Sequence, residues 1–240
     1  ARAAAKVAFV GMVGDDDNGK RATTRLRRAG VKISGVGVAD DQATGIAVVM
    51  RGADGTRETI ICPGANEKLA SDQVPSEILN SNAYVLAQMD APRDEMLALL
   101  HKAKGNGATT LVHSAPGADL SPLMFEHIDY LILSHNSARQ LCRQSVWADH
   151  ENDVARIAYN IAAASDSVCI VTCSADGSVA MRPNGTGWHV EAIAMTADRV
   201  VDDTGSGDAY AGTLAACLKN GMQLDKGMLY ASAAGSLTCR

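Results

Sequence analysis

The residues best suited to chemistry in this chain lie at 202–208 and read Asp-Asp-Thr-Gly-Ser-Gly-Asp. A largely apolar run, 209–218, follows at once and predicts a helix that begins at this segment. Glycine permits a tight turn and close approach to a ligand, and the free N–H groups at a helix N-terminus attract an anion. Asp208 would lie beside that anion. The combination suits phosphoryl transfer, in which N–H groups hold the migrating group and a carboxylate takes a proton from the attacking hydroxyl.

Two other interpretations of this segment have to be weighed. Serine and aspartate are good helix N-caps, so a turn that merely caps a helix fits the residues equally well. The letters from Asp203 to Ser206 also resemble the active-site loop of aspartic proteases. Those enzymes need two carboxylates that share a proton, and this sequence has no second Asp-Thr-Gly. The helix-like run after the loop also argues against a protease.

The wider segment, 200–212, reads Val-Val-Asp-Asp-Thr-Gly-Ser-Gly-Asp-Ala-Tyr-Ala-Gly. It resembles the C-terminal signature of the ribokinase-like (PfkB) carbohydrate kinases, which is roughly Asp-Thr-Thr-Gly-Ala-Gly-Asp-x-Phe-x-Gly. Other matches follow in the family's order and extend over nearly the whole chain. They are Gly-Asp-Asp with a later glycine at 14–19, Thr-Gly-Ile-Ala at 44–47, Pro-Gly-Ala-Asn at 63–66 and Gln-Met-Asp-Ala-Pro at 88–92. Several ordered matches are much harder to obtain by chance than one.

The resemblance implies roles for particular residues. Asp208 would be the catalytic base, and the N–H groups of Gly205, Ser206 and Gly207 would form an anion hole for the migrating phosphoryl group. Asp90 would bind the sugar together with Asp208, whereas Gln88 is interpreted as structural. The remaining assignments are nucleotide contacts at Ser134, Thr172, Ser174, Gly177 and Gly207, and a monovalent-cation site at Asp202 and Thr204.

Some positions depart from the family pattern. Ser134 and Ser137 hold the places of an asparagine and a glutamate that organise the nucleotide phosphates and the magnesium water shell, although Asn136 could substitute if the alignment shifts by two residues. Ser174 replaces a glycine of the nucleotide loop, and His113 aligns with an asparagine. These departures lie on the nucleotide and metal side. A family member that binds sugar or nucleotide with little turnover is therefore an alternative to an active kinase.

Composition indicates a cytoplasmic enzyme. The 240 residues can bury a sizeable core, 47% are hydrophobic, and the net charge of −5 disfavours a general nucleic-acid surface. The N-terminal segment lacks a signal-peptide layout, and no apolar run is long enough to span a membrane. Six scattered cysteines favour reduced thiols, and the spacing of Cys169 and Cys173 does not suit a zinc site.

Alternating strand and helix patterns predict an α/β fold: a three-layer, Rossmann-like, mainly parallel sheet with helices on both faces. We expect strands at 7–10, 84–86, 109–112, 130–133 and 168–171, a hairpin at 179–181 and 188–190, and helices at 18–29 and 93–104. Asp149 is expected to cap a further helix, and two helices end the chain. Ligands bind beyond the carboxyl ends of strands in such sheets, where these motifs would converge.

Short strands at 36–38, 46–50 and 59–62 have no helix between them and predict a small separate sheet. We therefore expect a β lid at 35–66 and a kinase core at 1–34 and 67–240. A lid of this size is marginal alone, so pairing of two lids would give a two-fold homodimer. Asn66 is either a lid residue or a turn residue.

The resemblance implies an ATP-dependent kinase that phosphorylates a primary hydroxyl, most simply that of ribose, with Mg²⁺ bound to ATP and possible K⁺ dependence. Another small-sugar or nucleoside kinase of the family is the alternative substrate class. The chain is expected to begin after the family's first strand and its Gly-Gly-Lys-Gly-Ala-Asn sugar loop, and to stop before a final Gly-Ala loop and the last helix. The sugar itself is left open because that loop lies outside the chain.

Overall fold

The structure, a computed structural model, describes residues 1–52, 57–114, 120–143, 153–196 and 199–240. Its strands are β1 Ala8–Gly14, β2 Lys32–Ala39, β3 Ile46–Arg51, β4 Arg57–Cys62, β5 Tyr84–Gln88, β6 Thr109–Ser114, β7 Tyr130–Ser134, β8 Val168–Thr172, β9 Ser178–Met181 and β10 Gly187–Val190. Its α-helices are α1 Asp17–Arg28, α2 Arg93–Gly105, α3 Pro122–Phe125, α4 His135–Arg143, α5 Val154–Ser165, α6 Ser206–Lys219 and α7 Leu224–Thr238.

Most predicted elements are confirmed, with ends that differ by a few residues. The helix predicted after Asp149 is also present as α5, whereas Asp149 itself, its predicted cap, lies outside the described residues. Helix α5 begins at Val154, and the Asp153 side chain accepts a hydrogen bond from the Arg156 N–H at 3.1 Å. Within the described residues, no helix is both long and apolar enough to cross a membrane.

The chain divides into two compact units, Ala1–Pro75 with Asp90–Leu99 and Ser76–Met89 with Leu100–Arg240. The second unit contains a six-stranded sheet in the order β10-β9-β8-β7-β6-β5. Strands β5 to β8 are parallel, and β9 and β10 are antiparallel to their neighbours. This confirms the predicted mainly parallel α/β sheet, including the hairpin at its edge.

Side chains on the two sides of this sheet meet different helices. Leu111, Ile132 and Ile170 are fully buried and pack in one cluster with residues of α6 and α7. The neighbouring residues Val112 and Leu131, which point the other way along their strands, are also fully buried. Helices α4 and α5 contact β7 and β8. Because His113 lies two residues after Leu111, its side chain is on the same face as α6.

The first unit contains two separate pairs of strands. Strands β1 and β2 are parallel, with Gly11 opposite Val36, and β3 and β4 are antiparallel, with Val48 opposite Ile60. Our assignment of 36–38 to the lid sheet was therefore wrong, because in the structure these residues belong to β2 and pair with β1. A three-residue apolar run indicates a strand but not its partner. That the other two strands, at 46–50 and 59–62, form a lid stays a prediction.

Three glycine-rich motifs of the sequence come together in this first unit. The Asp16 carboxylate caps α1 by accepting from the Gly19 N–H at 2.8 Å, and it accepts from the Thr44 N–H at 2.8 Å and the Thr44 hydroxyl at 2.6 Å. A side chain at Gly45 would begin 2.4 Å from the Pro63 carbonyl oxygen, so only glycine fits there. These close contacts give the motifs at 14–19, 44–47 and 63–66 a structural role.

We expect Asp16 to stabilise the folded protein above about pH 4 and to lose this contribution progressively at lower pH. Its hydrogen bonds from Thr44, then Gly19, lower the pKa of this carboxyl from 3.8 to about 2. Since the folded pKa is the lower one, the contribution is complete above the unfolded pKa and is lost as the pH falls through about 2. Urea titrations at pH 6 and pH 3 should show that Asp16→Ala costs more at pH 6. An equal cost at both pH values would contradict the assignment. Asp15→Ala serves as the control, because the Asp15 carboxylate forms an exposed ion pair with Lys20.

Candidate active site

The turn before α6 presents backbone N–H groups at the start of a 14-residue helix. Gly205 lies at the N-cap with φ 84°, a left-handed conformation that favours glycine. The N–H groups of Gly207 and Asp208 donate to no acceptor within the described part of the chain. The Ser206 N–H instead donates to the Asp203 carbonyl at 3.1 Å. In this conformation the Ser206 N–H is therefore used within the turn, and the anion hole predicted at Gly205, Ser206 and Gly207 stays a prediction.

Asp208 lies in the first turn of α6, where the helix dipole favours its negative charge. Its side chain is 63% exposed, so a substrate hydroxyl could reach it. The carboxylate oxygen Oδ1 accepts a hydrogen bond from Gln88 Nε2 at 2.7 Å and lies 3.7 Å from His113 Nδ1. A carboxylate beside free N–H groups can take a proton while those groups hold an anion.

Helix α6 is fixed to the sheet directly after this turn. Tyr210, Ala211 and Leu214 are buried in the cluster shared with β6, β7 and β8. The Tyr210 hydroxyl donates to Ser178 Oγ at 2.9 Å, and burial raises the pKa of Tyr210 to about 12. The phenol therefore stays neutral, and the anchored helix holds Asp208 at the carboxyl ends of β5 and β6.

Gln88 makes a contact at the candidate site that our sequence analysis did not predict. We interpreted it as structural, but the structure places its amide on the Asp208 carboxylate. Its position at the carboxyl end of a parallel strand was the available signal, because ligand sites lie at that edge. Asp90, the predicted sugar contact, is an exposed turn residue of the first unit, and its role stays a prediction.

The predicted nucleotide loop follows β8. Thr172 Oγ1 donates to the Leu133 carbonyl at 3.3 Å, and a short 3₁₀ helix covers Ser174–Asp176. Ser174 has φ 52°, so this serine occupies a left-handed position where the related pattern has glycine. Gly177 has φ 85°, and a side chain there would begin 2.0 Å from the Val190 carbonyl oxygen. Backbone shape therefore explains the glycine at 177, and nucleotide binding by this loop stays a prediction.

Ser134 and Ser137 bond to each other at the junction of β7 and α4. Their hydroxyl oxygens are 2.8 Å apart, and Ser134 Oγ accepts from the Ser137 N–H at 3.1 Å. This is the geometry of a helix cap. Ser137 is only 7% exposed, whereas Asn136 is exposed in the first turn of α4. The structure thus shows a capping role for Ser134, and its contact with nucleotide stays a prediction.

The predicted cation loop is tied into a tight turn. Asp202 Oδ1 accepts from the Thr204 N–H at 3.0 Å and from the Thr204 hydroxyl at 2.8 Å, while the Val201 N–H donates to the Cys239 carbonyl at 2.8 Å. The oxygens of Asp202 and Thr204 are of the type that alkali cations prefer. Among the described residues, no three His, Cys, Asp or Glu side chains gather as a metal site, and cation binding at this loop stays a prediction.

Solved structures share this fold. A crystal structure of ribokinase from Thermotoga maritima matches with a TM-score of 0.84 at 21% identity, covering 97% of this chain and 74% of that one. A structure of Arabidopsis thaliana ribokinase complexed with ribose and ATP matches with a TM-score of 0.83 at 26% identity, covering 98% of this chain and 76% of that one. The fold and the glycine-flanked start of α6 beside Asp208 define the class, which is an ATP-dependent kinase of ribokinase-like fold.

The sequence pattern of the pfkB family carbohydrate kinases matches residues 1–240, and the chain belongs to this family. The ribokinase of Schizosaccharomyces pombe is 25% identical over 236 residues, which cover 97% of this chain and 73% of that protein. A bifunctional ribokinase/ribose-5-phosphate isomerase A of Fructilactobacillus sanfranciscensis is 27% identical over 242 residues, covering 99% of this chain and 44% of that protein. The predicted resemblance is confirmed.

Proposed function

We propose that this kinase transfers the γ-phosphoryl group of ATP to a primary hydroxyl of a small sugar, most specifically O5 of ribose. The observation that carries the proposal is the start of α6, where an exposed carboxylate stands beside N–H groups that have no acceptor in the described chain. A hydroxyl held at Asp208 and a phosphoryl group held at Gly207 would meet at this turn.

In the proposed reaction, the sugar hydroxyl oxygen attacks the γ-phosphorus and its proton passes to the Asp208 carboxylate. The new O–P bond forms as the bond to the bridging oxygen breaks, and that oxygen leaves as part of ADP. Positioning and electrostatic stabilisation supply most of the catalysis in such transfers. Gly205 and Gly207 would supply N–H donors to the phosphoryl oxygens, and Asp208 would hold the proton.

Mg²⁺ bound to ATP would neutralise the charge that develops on the phosphates. The ATP phosphates and water would hold this ion, because Mg²⁺ usually keeps several waters and is bound largely through substrate phosphates. Asp202 and Thr204 are the candidates for a K⁺ site, since they bring oxygens together within one turn. Ser174, Thr172 and Gly177 would contact the nucleotide.

Ribose is favoured as the acceptor because the relatives at 24–27% identity include several proteins named ribokinase. The substrate for which the relatives are named varies, since a Halopiger xanaduensis relative at 27% identity is named ATP-dependent ribose-1-phosphate kinase. Another small sugar or a nucleoside is thus the alternative acceptor. The serines at 134, 137 and 174 favour the second alternative, a member that binds sugar or nucleotide with little turnover.

All six cysteines are unpaired, which supports our inference of a cytoplasmic location.

The test is a coupled ADP-release assay of the protein across ribose, ribose 1-phosphate, fructose and adenosine. We expect ATP- and Mg²⁺-dependent turnover that is highest with ribose. Higher kcat/KM with another acceptor would replace ribose in the proposal. Calorimetric binding of ribose or ATP without turnover on any acceptor would instead support the binding protein.

We also propose that two copies pair through the β3–β4 hairpin. Its exposed apolar side chains are Ile46, Val48, Val49, Met50, Ile60 and Ile61. They point to both sides of a two-stranded sheet, which is marginal without a partner. A second copy would cover one such face symmetrically.

The pairing predicts a dimer by light scattering at micromolar concentration. Ile61→Lys should shift the protein to a monomer, because it places a charge on a side chain that is 65% exposed now and would be buried in the dimer. Leu123→Lys is the control, since Leu123 is 66% exposed in α3. A monomeric wild type, or equal effects of both variants, would contradict this interface.

A further inference from the structure

Gln88 and His113 form a side-chain pair on the face of the sheet that carries α6. They are opposite each other in the parallel register of β5 and β6. Gln88 Nε2 lies 2.7 Å from Asp208 Oδ1 and 3.4 Å from His113 Nδ1. One amide group therefore joins the end of β6 to the first turn of α6.

The chemistry of the three groups determines where the hydrogens lie. An ionised carboxylate only accepts hydrogen bonds, so the amide nitrogen of Gln88 must face Asp208. The second N–H of the same nitrogen then faces His113 Nδ1. That atom must accept, which places the ring proton on Nε2.

The His113 ring also lies against Gly207 at the start of α6. A side chain built at Gly207 would begin 3.3 Å from both Cε1 and Nε2 of His113. The ring is largely buried, with its side chain 16% exposed, whereas the Asp208 side chain is 63% exposed. A packed ring thus abuts Gly207 and, through Gln88, reaches a carboxylate that is otherwise open to solvent.

We propose that His113 and Gln88 are positioning residues, with His113 orienting the Gln88 amide and Gln88 holding the Asp208 carboxylate in one rotamer beside Gly207. The inference rests on the proposed function, because it takes Asp208 as the base. A carboxylate held in place loses less freedom when the hydroxyl binds, so the pair would act on kcat rather than on ATP binding. His113 thereby gains a role that no asparagine in its place would fill in the same way.

The central variant is Gln88→Leu, which keeps the approximate size of the side chain and removes both N–H donors. We expect kcat to fall by about tenfold or more, since a hydrogen bond to a charged group is lost, while KM for ATP changes little. His113→Leu should lower kcat less. The double variant should be no slower than Gln88→Leu alone, because His113 acts through Gln88. Gln140→Leu, at an exposed position of α4, is the matched control and should keep the wild-type kcat.

Nitrogen-15 NMR of the His113 ring supplies a readout that does not depend on turnover. In the wild type, Nδ1 should have the shift of an unprotonated, hydrogen-bonded nitrogen and Nε2 that of a protonated one. Gln88→Leu should move the Nδ1 signal, whereas Gln140→Leu should leave it in place.

A protonated Nδ1 in the neutral wild-type ring, an unchanged shift in Gln88→Leu, or a Gln88→Leu enzyme with wild-type kcat would overturn the inference. If the losses of kcat in the two single variants added up in the double variant, His113 would not act through Gln88. Failure of the proposed function is distinguishable, because it would show as wild-type turnover in Asp208→Asn or no turnover at all, and the NMR result would still decide whether the pair exists.

Discussion

Asp208→Asn is expected to lower kcat by about 10²–10⁴, because the amide cannot take the proton of the acceptor hydroxyl. The rest of the turn should persist. The asparagine side chain has the same size, its carbonyl oxygen can still accept from Gln88, and Gly205 keeps its backbone conformation. ATP affinity should therefore change little. The measurement is initial rates of ADP release together with calorimetric titration of ATP.

Asp225→Asn provides a matched control, because Asp225 is also an exposed aspartate in the first turn of a helix, α7. Like Asp208→Asn, this substitution removes one negative charge near a helix N-terminus. Unlike Asp208→Asn, it leaves the proposed base in place. We expect wild-type kcat in this variant. An Asp208→Asn enzyme that turns over nearly as fast as the wild type would remove Asp208 from the mechanism.

The main sheet could be predicted because its strands are short, β-branched and bounded by turn residues. Val168–Thr172 is an example, with three fully buried residues at its centre. Parallel strands inside an α/β unit bury both faces, and this gives a strong apolar signal. The start of α6 was similarly clear, since Gly205 stands directly before an apolar run that is typical of a helix and Gly207 lies in its first turn.

Pairing between distant segments was harder to predict. Residues 36–38 have the composition of a strand, but apolar pattern alone does not distinguish β1 from β3 as their neighbour. The contact of Gln88 with Asp208 could not be predicted for the same reason. Its partner Asp208 is 120 positions away in sequence, and only the register of β5 and β6 with the packing of α6 brings the two side chains together.

The serines at 134 and 137 show a different limit of prediction from the sequence. They hold the places of an asparagine and a glutamate in the family pattern, so from the sequence alone Ser137 is a position where a negative charge is missing. The structure shows Ser137 buried and bonded to Ser134 in the cap of α4. A glutamate there would place a carboxylate in a buried site, which is costly unless it is paired. Local sequence identifies the substitution but not the burial that decides its effect.

Gly177→Ala is expected to destabilise the protein by about 3 kcal/mol or more, the second large effect that the structure predicts. Gly177 has φ 85° and ψ −132°, a region that side chains strongly disfavour. Its backbone is also enclosed, because a Cβ would lie 2.0 Å from the Val190 carbonyl oxygen and 2.8 Å from the Ala192 nitrogen. The loop after β8 cannot move away without breaking the 2.7 Å bond from the Cys173 N–H to the Gly177 carbonyl. Urea unfolding measures the loss.

Gly185→Ala separates backbone strain from this steric conflict. Gly185 has nearly the same φ, 83°, in the turn between β9 and β10, but the nearest atom to its Cβ would be Tyr159 Cε2 at 3.9 Å. The Gly185→Ala substitution should lower the free energy of unfolding by only about 1 kcal/mol. Equal losses in the two variants would show that the Val190 carbonyl does not restrict the loop. If the loop binds nucleotide as proposed, Gly177→Ala should also weaken ATP binding under conditions where the protein stays folded, and Gly185→Ala should not, because only the first change displaces the backbone between Thr172 and Ser178.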